Sequence, residues 1–132
     1  MIYCIDTNII VDIFRGDKNL LQKLEEVTKQ KNNFFTTYLN LAELFKGAYL
    51  SYKKEENLSL IENFIKNTGI LNLNKAAVEI YGRKYFELKK LGKLTQEIDL
   101  LIASIILANE AFLVTKNKKH FEHILGLKII EL

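Results

Sequence analysis

Residues 2–14 read I-Y-C-I-D-T-N-I-I-V-D-I-F, and this stretch decides the fold. Residues 2–5 are a short apolar run, which is typical of a buried strand. From residue 7 to residue 14 the apolar side chains recur at helical spacing. Asp6 stands between the two patterns, where a carboxylate either caps the helix or binds a metal ion. The two roles are compatible, and the stretch alone does not choose between them.

The same alternation of strand and helix patterns continues along the chain. It predicts further strands at residues 34–36, 70–73, 111–115 and 127–130, and helices that contain residues 20–27, 41–48, 58–65, 77–88 and 97–109. Thr37 and Asn74 are predicted N-caps, and Gly92 is predicted to end the helix before it. Strands that alternate with helices indicate an α/β fold with a mostly parallel sheet.

Length and composition limit the class of protein. With 132 residues, 48% of them hydrophobic and 27% charged, the chain is expected to form one globular domain over residues 1–132. No apolar run approaches the roughly 18 residues of a membrane span. The start M-I-Y-C-I-D lacks the basic region of a signal peptide. We therefore expect a cytoplasmic protein without a membrane partner.

Charge and cysteine content exclude some sites and leave others open. The net charge of +3 permits an anionic partner such as nucleic acid but does not require one. Cys4, the one cysteine, lies in an apolar run and is predicted to be a packed core thiol. One cysteine and two histidines argue against a structural zinc site as the explanation of the polar residues.

Four oxygen-bearing side chains stand out by their positions. Asp6 and Asn117 follow predicted strands, and Glu43 and Asp99 are predicted in the first turns of helices that pack on the same sheet. Ligands of parallel sheets bind beyond the carboxyl ends of the strands. Without a matching cluster of basic residues, several such oxygens would repel one another unless a cation lay between them. Oxygen ligands without histidine or cysteine favour Mg²⁺ or Mn²⁺.

Each of these residues also has an ordinary structural explanation. Asp6 is in place to cap a helix, and Asp99 carries a favourable charge for the start of one. Glu43 fits a solvated helix position, and Asn117 fits a turn. Asp99 argues most strongly for a site, because the helix around it is nearly all apolar and a buried charge there needs a partner.

Four motifs give the chain a resemblance to a known family. They are D-T-N at 6–8, A-E-L-F-K-G-A at 42–48, D-L-L-I-A-S at 99–104 and L-V-T-K-N-K-K-H-F at 113–121. In this order and spacing they resemble the PIN domain, and within it the VapC-type toxin ribonucleases of type II toxin–antitoxin systems. The resemblance implies a three-layer fold with a five-stranded sheet flanked by helices, Mg²⁺- or Mn²⁺-dependent RNA cleavage, a homodimer and a VapB-type antitoxin partner.

The resemblance also assigns roles to individual residues. Asp6, Glu43 and Asp99 match the three main acids and are the predicted metal ligands and catalytic residues. Asn117 stands where many PIN domains have Asp, so it is a fourth catalytic candidate that carries no charge. The predicted supporting residues are Thr7, Asn8 and Thr115, and the predicted RNA contacts are Lys46, Lys116, Lys118, Lys119 and His120, with Arg15 as a further candidate.

These roles predict an endoribonuclease in which a metal-activated water attacks the phosphodiester, with Glu43 positioning or deprotonating that water. One alternative is a PIN-like RNA- or protein-binding module whose metal site is weakened by Asn117. Another is a receiver or phosphatase-like domain, although a phosphatase of that type would need Asp where Asn8 stands. Glu97 is predicted to be a solvated helix start or a residue at the site's edge.

Smaller predictions concern the surface. Asp12 is predicted to be a surface residue on the polar face of its helix. The tyrosines at 38, 49, 52, 81 and 85 are predicted to lie in the core or in an interface. The apolar helix pair at residues 38–65 is a candidate surface for dimerisation or for an antitoxin segment.

Overall fold

The computed structural model describes residues 1–29 and 34–132. Its five strands form one parallel sheet in the order β3-β2-β1-β4-β5. The strands are β1 (Tyr3–Ile5), β2 (Phe35–Thr37), β3 (Gly69–Leu71), β4 (Phe112–Thr115) and β5 (Lys128–Glu131). The chain builds outward from β1 to β3 and then returns to add β4 on the other side of β1. The predicted α/β fold with a parallel sheet is confirmed, and its switch in strand order lies at β1.

Six α-helices in the described part of the chain cover the two faces of this sheet. They are α1 (Thr7–Phe14), α2 (Lys18–Thr28), α3 (Tyr38–Tyr49), α4 (Lys54–Lys66), α5 (Lys75–Leu91) and α6 (Glu97–Ala108). Tyr3 and Ile5 point into a core shared with α1 to α4, whereas Cys4 between them points into a core shared with α5 and α6. This alternation along one strand is the reason that the fold has three layers.

The strand boundaries differ from the sequence prediction by one or two residues. The third strand begins at Gly69, one residue before the predicted start, and ends at Leu71 rather than residue 73. Gly69 pairs with Phe35, and a Cβ at this position would lie 2.4 Å from the Phe35 ring. Glycine is normally rare in strands, but here it leaves room for the neighbouring ring. The second strand, by contrast, starts one residue later than predicted, at Phe35.

The predicted helix ends are confirmed. The Thr37 side chain accepts a hydrogen bond from the Asn40 backbone N–H and caps α3. The Asn74 side chain accepts from the Ala77 N–H and caps α5. Gly92 ends that helix with a φ of 68°, a left-handed conformation that costs a residue without a side chain little.

Two further predictions about side-chain burial have different outcomes. Cys4 is fully buried, and burial raises the pKa of its thiol, so the predicted core thiol is confirmed. Tyr38, Tyr49 and Tyr52 are exposed, so for these three a position in the core is wrong. None of the helices found in residues 1–29 and 34–132 is both long and apolar enough to cross a membrane.

Candidate active site

The candidate site forms where three strands end. Asp6 follows β1 directly, and its backbone N–H donates to the Val114 carbonyl of β4 at 2.9 Å. Thr115 is the last residue of β4, and Thr37 is the last residue of β2. Because these strands are parallel and adjacent, their carboxyl ends bring α1, α3 and the turn after β4 to the same edge of the sheet.

Asp6 is buried, with 7% of its surface exposed, and both of its carboxylate oxygens accept hydrogen bonds. Its Oδ1 accepts from the Thr7 backbone N–H at 2.9 Å and from Asn40 Nδ2 at 3.2 Å. Its Oδ2 accepts from the Thr115 hydroxyl at 2.7 Å. Asp6 is therefore the N-cap of α1 and is held at the centre of the site by three neighbouring donors.

Asn40 is a site residue that the sequence analysis missed. It is fully buried in α3, its Oδ1 accepts from the Thr37 hydroxyl at 2.7 Å, and its Nδ2 donates to Asp6 and to Thr7 Oγ1, the latter at 2.9 Å. These partners fix the orientation of the amide. A signal was present in the sequence, because residue 40 precedes Leu44 and Ala48 by four and eight residues and so lies on the buried stripe of the helix.

Glu43 reaches the site through Thr7. The Thr7 hydroxyl accepts from Asn40 and donates to Glu43 Oε1 at 2.7 Å. The second carboxylate oxygen, Oε2, has no hydrogen-bond partner in the described part of the chain. Glu43 is the sixth residue of α3, so its predicted place in the first turn of the helix is wrong. One turn deeper, the half-buried side chain still reaches the site through its hydrogen bond with Thr7.

Asp99 approaches from the other side of the sheet, in the first turn of α6. It is buried, with 9% of its surface exposed. Burial raises the pKa of its carboxyl group, and the charges of Asp6 and Glu43 raise it further, whereas His120 opposes the shift. The three predicted acids are therefore close enough for their charges to act on one another.

The Asn117 side chain contacts a histidine of the site and not the acids. Its Nδ2 lies 3.0 Å from His120 Nε2, and His120 Nδ1 lies 3.3 Å from Asp99 Oδ2. An amide nitrogen donates, so Nε2 accepts and the ring proton is assigned to Nδ1, which faces the carboxylate. The Asn117 backbone N–H donates to Thr115 Oγ1 at 3.1 Å. His120 thus occupies the position between Asn117 and Asp99.

Thr115 and Asn8 connect the turn after β4 to α1. Besides donating to Asp6, Thr115 Oγ1 lies 3.5 Å from Asn8 Nδ2. The Asn8 side-chain oxygen accepts from the Lys116 backbone N–H at 3.4 Å. The residues predicted to support the site, Thr7 among them, lie within the hydrogen-bond network around Asp6.

The basic residues predicted to bind RNA differ in their surroundings. Lys116 forms an ion pair with Asp12, which was predicted to be a surface residue and is partly exposed. The backbone N–H of Lys118 donates to Glu131 Oε2 at 3.1 Å. The side chains of Lys46, Lys118, Lys119 and His120 are exposed, as is that of Arg15.

Glu97 lies outside the site. It is exposed at the start of α6, where the Tyr81 hydroxyl donates to its Oε1 at 2.6 Å. This hydrogen bond to a carboxylate raises the pKa of Tyr81 to about 12. Of the two predictions for Glu97, the exposed helix start is the one that the structure bears out.

The donor set fits a hard divalent cation, although it does not enclose one. Across residues 1–29 and 34–132, no three acidic, histidine or cysteine side chains are grouped closely enough to hold an ion between them. Mg²⁺ does not need such a cage, since it usually takes one or two protein carboxylates and keeps several waters. Burial raises the pKa of Asp99 and the charges of Asp6 and Glu43 raise it further, so a cation next to this carboxyl group would favour its charged form.

Comparisons with known proteins agree with this fold. The PIN domain family model matches residues 3–126. The chain is 35% identical to ribonuclease VapC2 of Rickettsia felis, over 96% of this chain and 95% of that protein. It is 27% identical to the tRNA(fMet)-specific endonuclease VapC of Shigella flexneri, over 96% and 94%. A chain of the crystal structure of VapBC2 from Rickettsia felis, bound to a promoter DNA fragment, superposes with a TM-score of 0.90 at 33% identity, covering 100% of this chain and 99% of that chain.

Proposed function

Because the chain belongs to the PIN-domain family and, within it, to the VapC ribonucleases, we propose that it is a Mg²⁺- or Mn²⁺-dependent endoribonuclease. The observation that carries the metal dependence is the effect of two carboxylates on a third. Asp6, Glu43 and Asp99 come from three different elements, and the first two raise the pKa of the third. A cation beside Asp99 would offset the repulsion that the other two acids exert on it.

In this proposal Asp6 and Asp99 hold the cation, and Glu43 lies at its edge. A bound Mg²⁺ supplies positive charge to the scissile phosphate and lowers the pKa of a water ligand. Thr7 holds Glu43 by Oε1, which leaves Oε2 to take a proton from the attacking water. Asn40 and Thr115 fix the two oxygens of Asp6. The protein residues thus orient the reactants and receive the proton.

The partners follow from the relatives. The superposed chain comes from a VapBC complex, so we propose that this chain is the toxin of a type II toxin–antitoxin pair with a VapB-type antitoxin. RNA is the substrate implied by the name ribonuclease. We further propose that the chain forms a single catalytic domain, that two copies form a homodimer, and that the protein acts in the cytoplasm.

Cleavage of structured RNA in Mg²⁺, in Mn²⁺ and in EDTA tests the metal dependence. Asp6→Asn and Asp99→Asn are expected to lower the rate on the order of 10³-fold, since charge stabilisation by a metal contributes several kcal/mol to the transition state. The matched control is Asp17→Asn. Asp17 is also an N-cap aspartate, at the start of α2, but it lies outside the site. Cleavage that persists in EDTA, or that survives both substitutions, would exclude this mechanism.

A second candidate is the binding module with a weakened metal site. It is motivated by Asn117, which carries no charge, and by the absence of a closed ligand cluster in the described part of the chain. Isothermal titration with Mg²⁺ and Mn²⁺ separates the two. Binding of RNA without any uptake of metal and without cleavage would favour the module, whereas metal uptake that Asp99→Asn abolishes favours the nuclease.

A further inference from the structure

A basic pocket borders Asp99 on the side away from α1. It has a volume of about 340 Å³, which lies in the range of small-molecule pockets. The loop from α5 to α6 forms one wall, and the turn after β4 forms the other. The polar side chains that line it are Lys93, Thr95, Gln96, Asp99, Lys119, His120 and His123.

The two lysines of the pocket are not paired with an acid in the described part of the chain. Within residues 1–29 and 34–132, neither Lys93 nor Lys119 has a carboxylate within ion-pair distance. His123 does have one, since its Nε2 lies 3.5 Å from Glu122 Oε1. Asp99 contributes the negative charge at the inner end, where His120 already contacts it. Two lysines therefore face the space next to the catalytic acid.

The cavity on the opposite side of the acids has a different chemistry. It is bordered by Glu43 but lined mainly by apolar side chains of α1, α3 and α4, including Val11, Phe14, Leu44 and Ile61. Lys116 is paired with Asp12, whereas Arg15 lines this cavity and has no ion pair among the described residues. A polyanion that enters the site therefore meets two unpaired lysines in the polar pocket on the α6 side and a single unpaired arginine in the mainly apolar cavity.

We propose that this basic pocket binds the backbone phosphate of the nucleotide next to the cleaved linkage. The inference rests on the proposed ribonuclease function, because it takes the scissile phosphate to lie at Asp6 and Asp99. Asp99 belongs to both the site and the pocket, so the neighbouring phosphate of a continuous strand falls between Lys93 and Lys119. Phosphate contacts of this kind fix how a strand lies and carry no base preference.

The test uses the RNA that the wild-type protein cleaves and the double variant Lys93→Gln/Lys119→Gln. Removal of two charged groups from the phosphate is expected to raise KM about tenfold and leave kcat within about twofold. The slope of log KM against log salt is expected to fall by about 0.7 for each phosphate that the variant no longer neutralises. Lys93→Arg/Lys119→Arg keeps the charge and should behave as wild type. The matched control is Lys23→Gln/Lys66→Gln, which removes two exposed lysines of α2 and α4.

A substrate modified at single linkages tests the same interaction from the RNA side. A neutral methylphosphonate is placed in turn at the linkage on either side of the cleaved one. At one of the two positions it should raise KM about tenfold for the wild type and leave the Lys93→Gln/Lys119→Gln variant unaffected, because that variant has no lysine there to bind the phosphate.

The possible outcomes distinguish failure of the pocket assignment from failure of the proposed ribonuclease function. If RNA is cleaved but the double variant keeps the wild-type KM and salt slope, the pocket assignment is overturned and the nuclease stands. If the wild type cleaves no RNA with Mg²⁺ or Mn²⁺, the proposed function fails and this inference fails with it. An equal rise in KM for the Lys23→Gln/Lys66→Gln control would also overturn it, since the effect would then be one of net charge.

Discussion

The two halves of the candidate site are built in different ways. The inner half comprises Asp6, Thr7, Asn40 and Thr115, whose polar atoms are joined by hydrogen bonds between β1, α1, α3 and β4. The outer half comprises Asp99, Asn117 and His120, and two of these three are at least partly exposed. The inner half is part of the folded core, whereas the outer half borders solvent and the basic pocket.

This difference indicates how the work of the site is divided. A buried network in which every polar atom has a partner costs stability when one member is removed. Exposed contacts such as that between Asn117 and His120 can be exchanged for water at little cost. Substitutions in the inner half should therefore affect folding and activity together, and those in the outer half should affect activity alone or even raise stability.

The largest effect on both properties is expected for Asn40→Leu. The change leaves the hydroxyls of Thr7 and Thr37 without their buried partner, so we expect a loss of about 3 kcal/mol in the free energy of unfolding. Activity should fall about 100-fold, as is usual for residues that orient metal ligands. Urea denaturation measures the free energy of unfolding, and RNA cleavage measures the activity. The control is Asn63→Leu, at an exposed position of α4. Equal losses of stability and activity in the two variants would show that the buried network contributes no more than a surface residue does.

A smaller effect is expected for Thr115→Val, which keeps the shape of the side chain and removes its hydroxyl. Asp6 Oδ2 loses a donor at 2.7 Å, and the Asn117 N–H loses an acceptor. We expect a loss of about 1–2 kcal/mol in stability and about tenfold in activity. Thr68→Val, at a half-buried threonine just before β3, is the comparison. Activity at the wild-type level would mean that Asp6 holds its position without this bond.

In the outer half, Asp99→Asn is expected to raise the stability of the fold, whereas the two substitutions in the inner half lower it. Burial and the nearby acids raise the pKa of Asp99, so the folded chain keeps this proton to a higher pH than the unfolded chain does. Between the unfolded pKa, near about 4, and the raised folded value, stability falls as pH rises. Asp99→Asn removes the group that causes this loss.

Thermal denaturation of the metal-free protein from pH 4 to pH 8 measures the effect. At pH 7 the Tm of Asp99→Asn should exceed that of the wild type, and Mg²⁺ should raise the Tm of the wild type alone. Asp17→Asn controls for the loss of a charge near a helix start. A lower Tm for Asp99→Asn at pH 7 would show that this carboxylate stabilises the fold.

The smallest effect is expected for Glu97→Gln, which lies just outside the outer half. Its carboxylate contacts the Tyr81 hydroxyl and not the acids. Cleavage rates should stay within about twofold of the wild type, because surface substitutions away from a site rarely matter. A tenfold or greater loss of cleavage rate would show that the outer half of the site includes the start of α6.

The sequence predicted the framework of the site because that framework depends on local pattern. Residues 2–14 place an acid at a strand end and a helix start, and the strand–helix alternation places the ends of parallel strands at one edge. Asp6, Glu43 and Asp99 could be grouped on this basis. The turn of α3 that carries Glu43 could also have been predicted, because a cap at Thr37 makes residue 43 the sixth of the helix and so places it in the second turn.

The contacts between distant elements were beyond the reach of the sequence pattern. Lys116 and Asp12 are 104 positions apart, and only the order of β1 and β4 in the sheet makes them neighbours. Asn40 was not among the predicted site residues, since its role depends on Asp6 and Thr7 at a separation of more than 30 residues. The same holds for His120, which reaches Asp99 through the turn after β4.

The position of Cys4 has a practical consequence for labelling this protein. The chain holds one cysteine, and its thiol lies in β1 with none of its surface exposed and a raised pKa. A thiol in that state is a poor nucleophile toward maleimides. The folded chain thus presents no reactive sulfur, and one cysteine introduced on its surface would carry a fluorophore at a single, known position without any change to the native residue in the core.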